Sequence, residues 1–527
     1  MTLPLEQAVG QQFLLSFEGR QIPPAPFLEI LKKQHVAGVV LFRHKNMSSL
    51  EELRDLTRAL QSAAAEAGQP PLLIAVDQEG GQLMAVGQTT PFPGNMALGA
   101  TRSEKLAYRV GMAMGKELAA LGINVDFAPV CDINSNPRNP VIGTRSFGED
   151  PDLVASLGAA LVRGLQRSGV AATAKHFPGH GDTSSDSHHG APVLKQNLNR
   201  IRSVELVPFR RAISSGVRLV MTAHIVVPAL NGGSLELPAT LSRGILQGLL
   251  RNKMGFKGVI VSDALDMHAI GQGPEYVAET IASVAAGNDL LLFNHDLSKV
   301  EPAYRNMVQA CRRGLIPEQQ VQASARRVLA LKKWIGRQPQ FPITVIGCEE
   351  HLRLAQELAR RSITLVRDEA GLLPLRIPEG KTIAVALARP EDLTPADTSS
   401  YVTPGLAAAL RREGVQADEF SFAINPSPEE IAETCKRLVG YETVIAGTIN
   451  ASLYPAQSEL VNRLIRQGTR VVAVALRLPY DLAAYPAAET YLCTYSILQP
   501  SMEALADALF GRLECKGQLP VTIPRRL

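Results

Sequence analysis

The sequence contains no run of apolar residues long enough to cross a membrane, since a helical span needs about 18 to 20 of them in succession. Its amino terminus also lacks the basic start and the apolar core that mark a secretion signal. We therefore expect a protein that has no membrane partner and is not exported.

Cysteine is scarce. The chain has six cysteines in 527 residues, and their spacing is neither paired nor of the metal-binding type. Such scattered cysteines favour free thiols in a reducing compartment, so we expect a cytoplasmic protein. The six positions are Cys131, Cys311, Cys348, Cys435, Cys493 and Cys515.

Neither positive nor negative residues are in large excess. Lysine and arginine number 54 against 50 aspartates and glutamates, and the net charge of +4 is spread along the chain rather than concentrated in a basic run. This distribution argues against a nucleic acid or an anionic membrane as partner. A content of 46% hydrophobic and 20% charged residues is typical of soluble globular protein, and 527 residues suffice for two or more domains.

Eight short apolar runs are present in the first 300 residues, and a polar residue closely follows each run. Amphipathic helical stretches separate them, at 49–66, 103–121, 151–167, 199–215, 241–252, 275–286 and 299–313. This alternation is typical of a (β/α)8 barrel of the TIM type, whose catalytic groups project from the carboxyl ends of the strands. An open doubly wound sheet is the competing topology. The runs are 13–17 before Glu18, 36–42 before Arg43 and His44, 72–76 before Asp77, 125–130 before Asp132, 170–173 before Lys175 and His176, 219–223 before His224, 259–262 before Asp263, and 289–293 before Asn294 and His295.

The segment 175–190 is rich in side chains that can act in catalysis. It holds four of the ten histidines together with two aspartates and a lysine. Pro178 and the glycines at 179, 181 and 190 argue against a regular helix or strand there. Because the segment follows a predicted strand, we expect an active-site loop at the carboxyl end of the barrel.

A second domain is predicted after a helix that ends near Trp334. The boundaries that we predict are 1–336 for the barrel, 337–344 for a linker and 345–527 for the second domain. Apolar runs at 363–366, 383–387, 443–446, 471–476 and 491–494 alternate there with helical stretches at 404–412, 428–438, 455–466 and 502–510. This pattern is typical of a three-layer α/β sandwich. A Gly-x-Gly-x-x-Gly loop is absent, which gives a nucleotide-binding role little support.

Three reaction classes suit a barrel mouth rich in aspartate and histidine. A metal-assisted hydrolase would use these residues as ligands, but neither His-x-His after the first strand nor His-Glu-x-x-His occurs. An aldolase would use Lys175 as the Schiff-base former, but neighbouring carboxylates should keep this lysine protonated. A glycosidase would need a carboxylate nucleophile and a second group that protonates the leaving oxygen.

Several motifs along the barrel resemble those of the β-N-acetylhexosaminidases of glycoside hydrolase family 3, the subgroup that acts on peptidoglycan-derived sugars. The segment 175–190 is especially specific, because its Lys-His-Phe-Pro-Gly followed by Asp-Ser-His separates this subgroup from the β-glucosidases of the family. The resemblance is weaker in the second domain, at 362–366 and 517–521. The other motifs are Asp77-Gln78-Glu79-Gly80-Gly81, Pro93-Gly94-Asn95-Met96-Ala97, the stretch 127–147, and Ser262-Asp263-Ala264-Leu265-Asp266-Met267.

The resemblance implies a role for each matching residue. Asp263 would be the nucleophile that forms a covalent glycosyl-enzyme intermediate, and His188 would be the general acid and base, oriented by Asp186. Sugar binding would fall to Asp77, Arg145, Lys175 and His176, and neither a cofactor nor a metal would be needed. Of the other polar residues, we expect Asp132, Asn134 and Asn136 to shape loops, Asp182 and His180 to hold the segment 175–190, and His189 to be exposed.

Two positions depart from the family pattern. Gln82 and Ala85 stand where the family commonly has arginine, which bears on glycone specificity more than on Asp263, Asp186 or His188. The leading hypothesis is a retaining, exo-acting β-N-acetylglucosaminidase that acts on cytoplasmic cell-wall fragments. The alternatives are a relative with another glycone, such as a β-glucosidase or β-xylosidase, a glycoside phosphorylase, and a non-catalytic sugar-binding protein.

Overall fold

Eight parallel strands close into a barrel in the computed structural model, which describes residues 3–184, 191–267, 270, 275–294, 297–395 and 397–525. Each barrel strand pairs with the next one along the chain, and the last pairs with the first, so that Phe13 lies opposite Leu291. The predicted (β/α)8 topology is therefore confirmed. The barrel strands are β1 (Phe13–Leu15), β2 (Gly38–Val40), β3 (Leu73–Val76), β6 (Val125–Asp126), β7 (Ala171–Phe177), β8 (Leu219–Thr222), β9 (Val259–Ala264) and β10 (Leu290–Phe293), and a hairpin of β4 (Gln78–Gly80) and β5 (Leu83–Met84) follows β3.

Helices surround the barrel, and several begin at side chains that satisfy free backbone N–H groups. Ser49 accepts from the N–H of Glu52, and Asp150 accepts from those of Asp152 and Leu153. A π-type helix spans Gly244–Lys253. The α-helices are α1 (Leu5–Gly10), α2 (Ala25–Gln34), α3 (Arg43–Asn46), α4 (Leu50–Glu66), α5 (Asn95–Thr101), α6 (Glu104–Ala120), α7 (Pro151–Arg167), α8 (Leu198–Ser203), α9 (Val207–Ser214), α10 (Tyr276–Ala286), α11 (Leu297–Arg312) and α12 (Glu318–Ile335).

The interior of the barrel is packed with apolar side chains from the strands, among them Leu14, Val40 and Val261. Helix α12 covers the amino-terminal end of the barrel, where Leu331 and Trp334 pack against this interior cluster. Arg218, directly before β8, stacks on the ring of Trp334 at 4.6 Å. The floor of the barrel is thereby filled, so a ligand would enter from the carboxyl ends of the strands.

The bounds of three predicted elements differ in the structure. The strand predicted at 125–130 ends at Asp126, although Val130 still pairs with Lys175 in an isolated parallel bridge. Pro129, between the two, has no N–H to donate. Strand β7 runs on to Phe177, beyond the predicted run 170–173, and Lys175 and His176 lie at its carboxyl end as predicted. The helix predicted at 199–215 is divided into α8 and α9. Pro208 lies in the first turn of α9, a position that tolerates proline, whereas the middle of one long helix would not.

The second domain contains a mixed six-stranded sheet of order β11-β16-β15-β14-β12-β13, in which only β11 is antiparallel to its neighbour. Its helices pack in two groups, with α17 against α13 and α14, and α15 against α16. An α/β domain after the barrel is thus confirmed, while the predicted boundaries stay predictions. The strands are β11 (Thr364–Asp368), β12 (Ile383–Ala388), β13 (Ala417–Phe422), β14 (Thr443–Thr448), β15 (Arg470–Ala475) and β16 (Thr490–Cys493), and the helices are α13 (Glu349–Ser362), α14 (Leu406–Arg412), α15 (Pro428–Leu438), α16 (Ala456–Arg466) and α17 (Gln499–Leu509).

Two elements of this domain were not predicted. Strand β13 lies at the edge of the sheet with Asp418 and Glu419 exposed, so its sequence carries little apolar signal. Helix α13 packs against α5 and α6 of the barrel as well as against α17. No helix within the described ranges is both long enough and apolar enough to traverse a bilayer.

Candidate active site

The polar residues that follow the strands converge at the open end of the barrel. Asp77 directly follows β3, Lys175 and His176 lie near the end of β7, and Asp263 lies near the end of β9. The structure therefore brings the predicted sugar-binding residues and the predicted nucleophile to one mouth. Asp186 and His188, predicted as the acid/base pair, lie outside the described residues, as do His189 and His295.

Lys175 is the centre of a buried network of charges. Its Nζ donates to Asp77 Oδ1 at 2.5 Å and lies 2.7 Å from Glu79 Oε1, while only 1% of its side chain is exposed. Burial alone would lower the pKa of Lys175, but the carboxylates of Asp77 and Glu79 outweigh burial and raise that pKa. A lysine held in this way stays protonated, which disfavours Schiff-base chemistry and suits hydrogen-bond donation.

Glu79 also binds Arg145, through two hydrogen bonds in a fork-to-fork geometry. Nε of Arg145 donates to Glu79 Oε2 at 2.9 Å, and Nη2 donates to Oε1 at 2.8 Å. Burial tends to raise the pKa of Glu79, but Arg145 and Lys175 lower it to about 2. The carboxylate is thus a permanent anion that orders two cations at the barrel mouth.

The turn between β4 and β5 explains the two glycines of the motif at 77–81. Gly80 and Gly81 have φ angles of +80° and +61°, a region in which side chains are strained. A Cβ atom at Gly81 would lie 2.9 Å from the carbonyl oxygen of Pro93. The tight turn places Glu79 toward Arg145, and Asn95 of the next motif donates from Nδ2 to the carbonyl of Arg145 at 2.7 Å.

Asp132 orders the other side of the mouth. Its Oδ2 lies 2.7 Å from Nδ1 of His176, and its Oδ1 accepts from the backbone N–H of His180 at 2.7 Å. Burial favours the neutral acid, but His176 and His180 lower the pKa of Asp132 below its ordinary value. Because the carboxylate only accepts, Nδ1 of His176 carries a proton, and its Nε2 faces Arg145 Nη2 at 3.5 Å. Asp132 thus orients a predicted sugar-binding residue, beyond the loop-shaping role expected of it.

His180 and His224 stabilise the segments around the barrel mouth. Burial lowers the pKa of His180 to about 4, and its Nδ1 lies 2.7 Å from Thr183 Oγ1, which agrees with a role in holding the loop. His224 is fully buried, and its Nε2 donates to the carbonyl of Ala264 at 2.9 Å. His224 therefore supports the end of β9, where Asp263 lies.

Asp263 is half-buried at the barrel mouth, and its Oδ1 accepts from the N–H of Ala264 at 2.8 Å. Its charge also acts on His180, where it favours the protonated ring. The carboxylate therefore sits on a rigid strand, with part of its surface open to the mouth. Among the described residues, no group of three or more His, Cys, Asp or Glu side chains is arranged to hold a metal ion.

Two residues of this site were not singled out from the sequence as binding residues. Glu79 was named only within the motif 77–81, because its partners Arg145 and Lys175 lie far away in the chain. Asp126 fell inside a predicted apolar run, yet it is fully buried below the mouth, where its Oδ1 accepts from the N–H of Gln78 at 3.0 Å. Burial raises the pKa of Asp126 well above its ordinary value, which favours the neutral acid over the carboxylate.

The chain matches two protein families. The family described as glycosyl hydrolase family 3 N terminal domain matches residues 11–331, and that described as glycosyl hydrolase family 3 C-terminal domain matches residues 363–527. These two regions contain the barrel strands and the sheet of the second domain.

Similar proteins come from several bacteria. Beta-hexosaminidase A of Pseudoalteromonas piscicida is 33% identical over 99% of this chain and 97% of its own length. A beta-N-acetylglucosaminidase/beta-glucosidase of Cellulomonas fimi is 36% identical over 92% of this chain and 88% of its own. The solved structure of a glycoside hydrolase family 3 beta-N-acetylglucosaminidase from Paenibacillus sp. str. FPU-7 is 36% identical, covers 99% of both chains and superposes with a TM-score of 0.94.

Proposed function

Because the chain belongs to glycoside hydrolase family 3, we propose that this glycoside hydrolase is a retaining, exo-acting β-N-acetylglucosaminidase. It releases terminal N-acetylglucosamine from peptidoglycan-derived or related glycosides in the cytoplasm. The observation that carries the proposal is the network of Asp77, Lys175, Glu79 and Arg145 at the same barrel mouth as Asp263.

The network suits the recognition of one terminal sugar. The side chain of Asp77 is 27% exposed, so its carboxylate can accept hydrogen bonds from sugar hydroxyls. Lys175 and Arg145 are almost fully buried and already oriented by Glu79, so they lose little conformational freedom when a sugar binds. His176, held by Asp132, completes the set of polar groups that we assign to the glycone.

The reaction that we propose has two steps. Asp263 attacks the anomeric carbon and forms the glycosyl-enzyme bond, while His188 gives a proton to the departing glycosidic oxygen. His188 then takes a proton from water, whose oxygen displaces Asp263 and yields the sugar with net retention. Asp186 orients the imidazole and stabilises its protonated form. Neither a metal nor a cofactor takes part.

Another glycone or another acceptor is the alternative. Gln82 and Ala85 replace two arginines of the family pattern, and the name of the Cellulomonas fimi relative joins beta-N-acetylglucosaminidase with beta-glucosidase. A phosphorylase would differ only in the acceptor, because phosphate would displace Asp263 in place of water. A non-catalytic sugar-binding protein would bind the same glycone without turnover.

Aryl β-glycosides that differ only at the 2-position separate these functions. We expect turnover of the 2-acetamido substrate to exceed that of the 2-hydroxy substrate, with a free sugar as product whether or not phosphate is present. The reverse preference would contradict the proposal in favour of a β-glucosidase or β-xylosidase. A sugar phosphate as the main product would identify a phosphorylase, and binding without turnover would identify a sugar-binding protein.

A further inference from the structure

A loop of the second domain, after β12, is hydrogen-bonded to the β4–β5 hairpin of the barrel. Thr398 donates from its backbone N–H to the carbonyl of Gln82 at 2.9 Å and from its Oγ1 to the same oxygen at 3.0 Å. The same Oγ1 accepts from the N–H of Met84 at 3.1 Å. One threonine thus makes three hydrogen bonds to the hairpin that carries Glu79.

Gln82 extends this contact to the turn that carries Arg145. Its Oε1 accepts from Thr144 Oγ1 at 2.6 Å, one residue before Arg145. Leu478 of the second domain also lies close to this turn, since a Cβ atom added at Gly143 would be 3.5 Å from one of its methyl groups. The hairpin of Glu79 and the turn of Arg145 therefore both lie against the second domain.

The loop that presents Thr398 is itself firmly held. Asp397 is fully buried and accepts from Arg477 Nη2 at 2.9 Å, from the N–H of Ser399 at 2.9 Å and from that of Leu393 at 3.3 Å. A buried, hydrogen-bonded ion pair resists displacement, because separating it would leave an uncompensated charge. Thr398, directly beside Asp397, is therefore a fixed support.

We infer that Thr398 is a positioning residue for the sugar pocket. It holds the hairpin of Glu79 and, through Gln82, the turn of Arg145, so the second domain sets how well these groups fit the glycone. The step from the hairpin to the turn runs through the side chain of Gln82, so it depends on the residue at this position. The identity of the glycone in this inference rests on the proposed function. The hydrogen bonds of Thr398 and Gln82, which support the positioning role, do not depend on that function.

Three variants test this role. Thr398→Val keeps the shape but removes both Oγ1 hydrogen bonds, Thr398→Ser restores them, and Glu357→Gln weakens the interdomain ion pair with Arg109 at 2.7 Å, away from the mouth. A loss of about 1 to 2 kcal/mol corresponds to a rise in KM of roughly 5- to 30-fold for the preferred aryl glycoside. We expect this rise in Thr398→Val with kcat nearly unchanged, since the glycone contacts act in the ground state and the transition state alike. Thr398→Ser and Glu357→Gln should stay close to the unmodified protein.

A double-mutant cycle tests the route through Gln82. If Thr398 and Thr144 act on the same glutamine, the effects of Thr398→Val and Thr144→Val on kcat/KM are not additive. Additive effects, an unchanged KM in Thr398→Val, or a failure of Thr398→Ser to restore it would overturn the inference.

Amide hydrogen exchange gives a readout that does not depend on turnover. In Thr398→Val, residues 78–84 and 143–145 should exchange faster than in the unmodified protein and in Glu357→Gln. Unchanged exchange in these segments would also overturn the inference. If no glycoside is turned over but exchange rises as expected, the proposed function fails and the positioning role stands.

Discussion

Glu79 receives two hydrogen bonds from Arg145, at 2.9 and 2.8 Å, although the two residues are 66 positions apart in the chain. The same carboxylate lies 2.7 Å from Nζ of Lys175. One buried anion therefore sets the positions of two cations that we assign to sugar binding. The consequence is a pocket whose donors are ordered before the substrate arrives.

Replacing this anion should damage both stability and binding. Glu79→Gln keeps the shape but leaves the buried Arg145 without its carboxylate partner, while Lys175 keeps Asp77. Breaking a buried ion pair in this way typically costs about 3 to 5 kcal/mol. We expect the free energy of unfolding in urea to fall by this order and kcat/KM to fall with it. Glu369→Gln is the matched control, because Glu369 is 70% exposed in a surface pair with Arg367 and should matter little. Equal effects of the two variants would contradict the central role of Glu79.

The pKa of Glu79 also predicts a loss of stability in acid. This pKa is about 2 in the folded chain against an ordinary value of 4.5, so the charged form stabilises the fold. The stabilisation is fully present above pH 4.5 and is lost as the pH falls from there toward 2, by roughly 3 kcal/mol. Urea unfolding across this window should show a steeper loss in the unmodified protein than in Glu79→Gln. Parallel curves would contradict the prediction.

Lys332, at the floor of the barrel, should also make the fold more stable as the pH rises, but in an alkaline window. Burial lowers its pKa to about 7 from an ordinary 10.5, and its Nζ donates to Gln11 Oε1 at 2.8 Å. Because the unfolded chain binds the proton more tightly, this group makes the fold more stable as the pH rises from 7 toward 10.5. The stability of the unmodified protein relative to Lys332→Met should increase by a few kcal/mol over that window. The exposed neighbour is the control, since Lys333→Met should show no such trend.

Asp263 is predicted to be essential for turnover. Asp263→Ala should lower kcat on the order of 10⁴-fold, because no glycosyl-enzyme bond can form. Its circular dichroism spectrum and melting temperature should stay close to those of the unmodified protein, since the side chain is only half-buried. A mechanism-based fluorosugar should label Asp263, as peptide mass spectrometry would detect. Near-normal turnover of the variant, or labelling of another residue, would remove Asp263 from the mechanism.

His188 is predicted to matter most for poor leaving groups. Its replacement by alanine should slow glycosides with poor leaving groups by about 10² to 10⁴, and activated aryl glycosides far less. Asp186→Ala should act in the same direction but less strongly, because the imidazole stays present yet poorly oriented. Glycosylation rates measured for a series of leaving groups give the comparison. If both leaving-group classes slowed equally, His188 would be a binding residue, and the acid would lie elsewhere.

Much of the fold could be predicted from local patterns. Eight apolar runs, each close to a polar residue, predicted the strands of the barrel and the residues at its mouth, because a buried parallel strand needs apolar side chains on both faces. Strand lengths were less predictable. β6 stops early near Pro129, and β7 continues through Lys175 and His176, since pairing with neighbouring strands decides where a strand ends.

The sequence by itself determined the type of fold, the family resemblance and most of the polar residues at the barrel mouth. Only the tertiary structure decided that Glu79 joins Arg145 to Lys175, that Asp132 orients His176, and that Asp126 is fully buried, which raises its pKa. Patterns of apolar residues are local along the chain, whereas ion pairs and burial depend on segments far apart in it. The contact of Thr398 with Gln82 is the extreme case, because it joins two domains across 316 residues.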